Sequence, residues 1–189
     1  MNTWAEREAR RIRKARTLLQ PGVENAGGTW ADLGCGDGIF TSALYMLLQP
    51  GSEIYAVDKS RRALKSLTHN FAASYPQASL HPILADFTHP LSLPPLDGLV
   101  MANSLHFVRQ KRPVLVQLAS LLKPGGRLIV VEYNTTRGNY PVPYPLDEAG
   151  FLQLAREVGL REARIIAEIP STFLGEMYAG LGLAGTSSQ

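Results

Sequence analysis

The chain has 189 residues, of which 45% are hydrophobic and 19% are charged. This length fits one domain, and the composition excludes global disorder, which requires low hydrophobicity and high net charge. The 19 basic and 16 acidic residues give a net charge of +3, too small to imply a polyanionic partner by itself. The single cysteine, Cys35, excludes an intramolecular disulfide framework and a zinc cluster built from several cysteines.

The sequence also bears on where the protein works. No apolar run approaches the roughly 20 residues that a membrane-spanning helix needs. The first twenty residues carry six basic residues, two glutamates and no continuous apolar core, so we expect no secretory signal. These features favour a soluble protein in a reducing compartment, the cytoplasm, with no membrane partner.

The first element is a predicted helix over residues 3–20, built from strong helix formers and ended by Pro21 and Gly22. Its apolar stripe consists of Ala5, Ala9, Ile12 and Leu19. Strand-like and helical runs then alternate along the chain. The predicted strands cover residues 29–33, 52–57, 79–84, 98–102, 127–133, 163–169 and 173–181, and the predicted helices cover 39–48, 60–75, 111–122 and 147–158. This alternation predicts right-handed βαβ units and a mostly parallel sheet with helices on both faces.

Two segments depart from the alternation. Residues 86–95 are rich in proline and predict a loop. The last two strands are joined by too few residues for a crossover helix, so they should pair antiparallel as a C-terminal hairpin. We therefore expect an N-terminal helix over residues 1–22, one α/β domain over 23–184 and a frayed tail over 185–189.

A glycine-rich turn follows the first predicted strand and leads into a helix. Gly34, Gly36 and Gly38 alternate with other residues there, which suits positive φ angles and close approach of a ligand. In an open α/β sheet, such a turn at the carboxyl end of a strand marks the ligand crevice. A purely structural strand–helix turn is the alternative interpretation.

The spacing of this turn distinguishes between ligands. A dinucleotide fingerprint requires a third glycine where this chain has Ile39. Asp32 stands two residues before Gly34, and a carboxylate there would repel a pyrophosphate but suit a ligand that carries positive charge.

The run from Asp32 to Gly38 resembles the first motif of the class I, Rossmann-like, S-adenosylmethionine-dependent methyltransferases. Further matches occur in the expected order: Ala56-Val57-Asp58-Lys59, Leu84-Ala85-Asp86-Phe87, the run from Val100 to His106, and the run from Leu121 to Leu128. The resemblance covers roughly residues 29–181. It implies a seven-stranded, mostly parallel sheet, with the N-terminal helix covering a cofactor crevice.

The resemblance also implies S-adenosylmethionine as cofactor. The residues it assigns to cofactor binding are Asp32, Gly34, Cys35, Gly36, Gly38, Asp58, Lys59, Asp86, Phe87 and Asn103. Asp58 would accept the ribose hydroxyl hydrogens, although it could instead cap the following helix. Asp86 would contact the adenine amino group, with Phe87 against the ring.

Catalysis and acceptor binding are less constrained by the residues. His106 is a candidate general base, with a structural histidine as the alternative. Candidate acceptor contacts come from the tyrosine- and proline-rich segment 133–146, namely Tyr133, Arg137, Tyr140 and Tyr144. The other histidines are scattered, so we predict no metal site.

The acceptor is expected to be a small molecule methylated on O, N or C. An Asn/Asp-Pro-Pro-aromatic run, usual in methylation of exocyclic base amines, does not follow strand four. The main alternative is an RNA acceptor bound by the N-terminal helix, where six basic and two acidic residues give +4. A nicotinamide-dependent oxidoreductase and a non-catalytic cofactor-binding module are the remaining hypotheses.

Overall fold

A computed structural model describes residues 3–185. The predicted tail, residues 185–189, lies outside the described residues except for Gly185. The helices are α1 (Trp4–Val23), α2 (Ile39–Leu47), α3 (Arg61–Ser74), α4 (Lys111–Ala119) and α5 (Glu148–Glu157). The strands are β1 (Thr29–Leu33), β2 (Glu53–Asp58), β3 (Ser79–Leu84), β4 (Leu96–Ala102), β5 (Leu122–Tyr133), β6 (Arg161–Ser171) and β7 (Gly175–Leu183). A single 3₁₀ turn, Leu105–Phe107, follows β4.

The seven strands form one sheet in the order β3-β2-β1-β4-β5-β7-β6. Strands β1 to β5 pair in parallel, whereas β7 runs antiparallel to both β5 and β6. The structure therefore confirms the predicted α/β class and the antiparallel C-terminal hairpin.

Apolar clusters cover both faces of the sheet. On one face Leu99 and Met101 of β4 pack with Phe151 of α5 and residues of α4. On the other face Val100 joins Leu19 of α1 and residues of α2. Successive residues of β4 thus face opposite sides, and the continuous apolar run is explained by burial of the strand on both faces.

The first helix differs from its prediction at its end. It continues through Pro21 to Val23, and the amide of Glu24 donates to the carbonyl of Gln20 at 2.9 Å. Proline removes one donor and disfavours the preceding turn, but here it stands in the last turn and Val23 is fully buried. Packing of the final turn therefore outweighs the local signal to stop.

The predicted apolar stripe of this helix is also displaced. Ala5 and Ala9 are exposed, whereas Leu18 and Leu19 are fully buried against α2 and β6. Ile12 also packs against this core, so the predicted stripe is partly buried at Ile12, buried at Leu19 and exposed at Ala5 and Ala9.

The turn before the fifth strand is a bulge within the strand rather than its boundary. α4 ends at Ala119, and Leu122 already pairs with Leu96. The strand register then shifts, with Gly125 at φ 76° and its amide bonded to the carbonyl of Ala184 at 3.1 Å. Pairing with β4 thus begins earlier than the glycine pair suggested.

Residues 86–95 contain no helix or strand, as predicted. Within residues 3–185, no helix is both long enough and apolar enough to cross a membrane.

Candidate active site

The site lies where the strand order reverses. β1 is flanked by β2 on one side and β4 on the other, so the chain leaves their carboxyl ends in opposite directions and opens a crevice. Three segments border it: the glycine loop (residues 34–38), the end of β2, and the β4 turn (residues 103–108).

The glycine loop has a conformation that other residues adopt only with strain. Gly34, Gly36 and Gly38 have φ angles of 76°, 54° and 91°. A Cβ on Gly34 would lie 2.5 Å from the Cβ of Ser104, whereas one on Gly36 would meet no atom within 4 Å. The loop therefore packs against the β4 turn at Gly34 and leaves open space at Gly36.

Asp58 connects the end of β2 to this loop. Its Oδ2 accepts a hydrogen bond from the amide of Gly36 at 2.9 Å, and its Oδ1 accepts one from Ser60 at 2.7 Å. The cap of α3 is Ser60, whose hydroxyl accepts from the amide of Ala63. Asp58 is thus placed to orient the loop rather than to cap the helix.

Two cavities open on this edge and share Gly34 and Asn103. The first, about 240 Å³, is lined by residues that include most of the predicted adenosine contacts. They are Gly34, Asp58, Lys59, Ala85, Asp86, Phe87, Thr88, Asn103, Ser104, Phe107 and Val108. The second, about 400 Å³, lies beside the glycine loop and is bordered by α1 and the β6–β7 hairpin.

Asp86 stands in the first cavity with a defined orientation. Its Oδ1 accepts hydrogen bonds from the amide and the hydroxyl of Thr88, at 3.0 and 2.7 Å. These bonds, with a smaller effect of Lys59, hold the pKa of the carboxyl below its usual range. The ionised carboxylate therefore remains available as a hydrogen-bond acceptor at neutral pH.

Asn103, on the shared wall, is strained and incompletely bonded. Its φ is 51°, a left-handed value for a residue with a side chain, and its amide donates to the carbonyl of Val131 at 2.9 Å. Its Oδ1 is buried and has no hydrogen-bond partner among the described residues. Because buried polar atoms are nearly always bonded, this oxygen is suited to a ligand donor in the crevice.

Two of the predicted cofactor residues lie off the walls of both cavities. Gly38 lines a separate groove between α1 and α3, where its missing side chain makes room for Leu67. Asp32 is 1% exposed beneath the loop, and its Oδ2 accepts a hydrogen bond from the hydroxyl of Thr41 at 2.7 Å. Burial raises the pKa of Asp32 to about 7, Thr41 opposes the increase and Asp58 adds to it. Direct ligand contact by Asp32 stays a prediction.

Cys35 lines the second cavity, where a small side chain is accommodated. Burial raises the pKa of its thiol, and the neighbouring carboxylates raise it further. The thiol is therefore protonated at neutral pH and is a poor nucleophile.

His106, the candidate base, is buried beneath the β4 turn. Its Nδ1 lies 2.6 Å from Oε2 of Glu132, and the two side chains are almost fully buried. The ring lines neither cavity. Sequence reasoning missed Glu132. It is the only charged residue in the run from Leu128 to Tyr133, which is otherwise apolar.

The candidate acceptor residues separate into two groups. Tyr133 lines the second cavity, with its ring 5.5 Å from that of Phe173. Arg137 and Tyr140 are exposed, and Tyr144 is directed toward Lys111, whose Nζ donates to its carbonyl at 2.7 Å. None of these last three predicted residues lines a cavity, so the structure does not bring them to the site.

The outer wall of the second cavity comes from residues that the sequence did not indicate. α1 contributes Arg11, Lys14, Ala15 and Leu18, and the hairpin contributes Ile169 and Met177. The guanidinium of Arg11 lies 3.0 Å from Oδ2 of Asp37 in the glycine loop. The middle turns of α1 therefore border the second cavity, and coverage of the cofactor by this helix stays a prediction.

Comparison with known proteins identifies the family. A family model described as "Methyltransferase domain" matches residues 31–128, just over half of the chain. A ubiquinone biosynthesis O-methyltransferase of Xanthomonas axonopodis pv. citri (strain 306) is 27% identical over 139 residues, 71% of this chain and 53% of that protein. The corresponding protein of Xylella fastidiosa (strain 9a5c) is 28% identical over 119 residues, 60% of this chain and 45% of its own length. The chain thus spans about half the length of the curated relatives it matches.

Solved structures share the fold. A SAM-dependent methyltransferase of Aquifex aeolicus superposes with a TM-score of 0.68 at 16% identity, covering 97% of this chain and 94% of that one. Magnesium protoporphyrin IX methyltransferase of Synechocystis, solved with bound SAM, gives 0.66 at 15% identity, covering 95% and 80%. The residues around the crevice fit this cofactor, since they offer acceptors for hydroxyl and amino groups and a buried, unpartnered amide oxygen. The family match, the seven-stranded sheet and the crevice at its switch point together show that this chain belongs to the class I S-adenosylmethionine-dependent methyltransferases.

Proposed function

We propose that the chain transfers a methyl group from S-adenosylmethionine to an oxygen, nitrogen or carbon atom of a small molecule. The observation that carries this proposal is the meeting of two cavities at Gly34 and Asn103. The first cavity holds the predicted adenosine contacts, and the second leaves space for an acceptor beyond the glycine loop. Concave sites with apolar walls and a few polar groups are typical of small-molecule binding.

The second cavity suits an acceptor with an apolar body. Leu18, Phe40, Ile169 and Met177 form much of its wall, and Tyr133 adds an aromatic ring. Burial and the nearby Glu132 raise the pKa of the Tyr133 hydroxyl, which therefore stays protonated and can donate a hydrogen bond. Lys14 borders the same cavity and has no ion-pair partner among the described residues, so an anionic group on the cofactor or acceptor could be paired there.

The residues of this chain would hold and align the reactants. Asp58 and Asp86 would accept hydrogen bonds from ribose hydroxyls and the adenine amino group, with Phe87 beside the ring. The bound cofactor supplies an electrophilic methyl group on a positively charged sulfur. Alignment of an acceptor against that group accounts for a large part of such catalysis, so an obligatory base is not required.

Oxygen is the first acceptor atom to test, because the curated relatives are named as O-methyltransferases. An RNA acceptor is the second candidate, and the exposed basic residues of α1 favour it, among them Arg10 and Arg13. A nicotinamide cofactor is not supported, because the family model that matches residues 31–128 is a methyltransferase domain. A cytoplasmic location is part of the proposal, and a single cysteine, which cannot form an intramolecular disulfide, agrees with a reducing compartment.

The test is transfer of radiolabel from S-adenosylmethionine into a metabolite extract and, separately, into a total RNA pool. We expect label in the small-molecule fraction, and phenols, amines and carbon acids can then be assayed individually. The Asp58→Ala variant serves as the control for transfer that depends on this site. Label in RNA alone would favour the second candidate, and label in neither pool would contradict both.

A further inference from the structure

Glu132 is a fully buried carboxylate whose hydrogen bonds all reach one short segment. Its Oε1 accepts from the amides of Leu105 and His106, at 3.0 and 3.1 Å. Its Oε2 lies 2.6 Å from Nδ1 of His106. A buried charge is costly unless it is paired and hydrogen-bonded, and within residues 3–185 the hydrogen-bond partners of Glu132 belong to the β4 turn.

The β4 turn contributes Asn103, which together with Gly34 lines both cavities. Asn103 has a strained φ and presents its unpartnered Oδ1 there, while Ser104 bonds to the carbonyl of Leu33 at 2.8 Å and contacts Gly34. Phe107 and Val108 line the first cavity. Strained segments persist only where their surroundings hold them, and Glu132 supplies three of the bonds that hold this one.

Glu132 also connects the turn to the acceptor side. It directly precedes Tyr133, which lines the second cavity. The carbonyl of His106 accepts from the amide of Tyr144, which fixes the end of segment 133–146 to the same turn. One carboxylate therefore joins walls that belong to different cavities.

The geometry does not favour a catalytic base. The ring of His106 is packed against Phe107, with centroids 4.3 Å apart, and His106 is 3% exposed. Neither His106 nor Glu132 lines a cavity. We propose that Glu132 is a positioning residue, whose carboxylate holds the β4 turn in the shape that binds the cofactor, with His106 as its structural partner.

The inference concerns the cofactor side of the site and does not depend on which acceptor is used. Its test compares Glu132→Gln, which retains an acceptor for the two amides, with Glu132→Leu, which removes it. Calorimetry with S-adenosylhomocysteine gives the Kd, and hydrogen exchange of the peptide covering residues 103–108 reports the turn itself. Asp97→Ala is the control, because it removes the partner of the Thr29 amide and of Lys123 at the opposite end of the sheet.

We expect Glu132→Leu to raise the Kd at least tenfold and to accelerate exchange of the β4 turn. Glu132→Gln should raise the Kd by no more than about threefold, with kcat lowered less than tenfold and the pH profile of kcat unchanged. Asp97→Ala should lower the thermal stability while leaving the Kd within twofold of wild type. Should Glu132→Leu not fold, a Glu132→Gln protein with normal Kd and a 100-fold lower kcat would still overturn the proposal.

Two outcomes would overturn the proposal. One is a Glu132→Leu protein that is folded and binds the cofactor product as tightly as the control. The other is a Glu132→Gln protein with normal Kd whose kcat falls 100-fold or whose pH profile shifts, since that would assign the pair to proton transfer. Failure to find an acceptor would count against the proposed function alone, because the Kd and exchange measurements need no acceptor.

Discussion

The amide of Gly36 donates a 2.9 Å hydrogen bond to Oδ2 of Asp58, which joins the glycine loop after β1 to the acidic residue that ends β2. The amide of Gly34 bonds in turn to the carbonyl of Val57 at 2.8 Å. Two of the family's sequence motifs are therefore one structural unit. The remaining lone pairs of the Asp58 carboxylate are available to a ligand in the first cavity.

Replacing Asp58 by alanine should weaken binding of S-adenosylhomocysteine by about 1–3 kcal/mol, because charged hydrogen bonds to buried hydroxyls are lost. Isothermal titration calorimetry measures this change. Asp97→Ala is a matched control: Asp97 accepts from the amide of Thr29 and pairs with Lys123, and it lies at the opposite end of the sheet. The control should lose stability but keep its affinity, and equal affinities for both variants would remove Asp58 from the site.

Asn103→Gly should separate affinity from stability. Glycine adopts the φ of 51° without strain, so the free energy of unfolding should stay within about 1 kcal/mol of wild type or increase. Loss of the buried Oδ1 should weaken cofactor binding roughly tenfold. Asn25→Gly is the control, because Asn25 also has a positive φ, of 61°, but precedes β1. An Asn103→Gly protein with unchanged affinity would contradict the assignment.

Asp32 should make stability depend on pH. Its pKa is about 7 in the folded state against 3.8 for an unperturbed aspartate, so the folded protein binds the extra proton between these values. Stability is therefore lost as pH rises from about 4 to 7 and is constant above that range. Relative to Asp32→Asn, wild type should lose roughly 2–3 kcal/mol between pH 5 and pH 8, as measured by urea unfolding. Parallel pH profiles for the two proteins would show that Asp32 does not titrate in this range.

Glu148→Gln should stabilise the protein at neutral pH. Burial raises the pKa of Glu148, and the carboxylates of Glu168 and Glu176 raise it further. The three carboxylates lie within 4.8 Å of one another. A carboxyl group whose pKa is raised by folding lowers the stability when the pH is above its pKa in the folded state. It has no such effect when the pH is below its pKa in the unfolded state. The gain in Tm of Glu148→Gln at pH 7.5 should therefore vanish near pH 4.

Differential scanning fluorimetry at the two pH values measures this effect, with Glu157→Gln as the control. Glu157 is exposed on α5 and accepts a hydrogen bond from Gln153. Its substitution should change the Tm little at either pH. A Glu148→Gln protein that melts below wild type at pH 7.5 would show that the three carboxylates are held together by favourable interactions.

Much of the fold was predictable because its signals are local. Alternation of apolar runs and helical segments reflects strands buried on both faces, and the three glycines of the loop all take the positive φ that their pattern suggested. Asp32 lies in β1, Asp58 ends β2 and Asp86 follows the end of β3 by two residues, so their placement near one edge of the sheet follows from parallel pairing.

The predictions that the structure corrects or leaves open depend on packing. Pro21 was expected to end α1, but burial of Val23 extends the helix. Acceptor contact by Tyr140 and Tyr144 stays a prediction, since neither residue lines the two cavities and Tyr140 is 98% exposed. No local pattern states in which direction a loop of this length returns to the domain.

By itself, the sequence determined the α/β class, the order of the family's motifs along the chain and the S-adenosylmethionine cofactor. Each of these depends on residues that are adjacent along the chain. Only the tertiary structure decided that Asp32 is buried, that His106 is paired with Glu132, and that the middle of α1 lines the second cavity. The physical reason is that burial, and the pairing that makes burial of a charge possible, are set by residues distant in sequence.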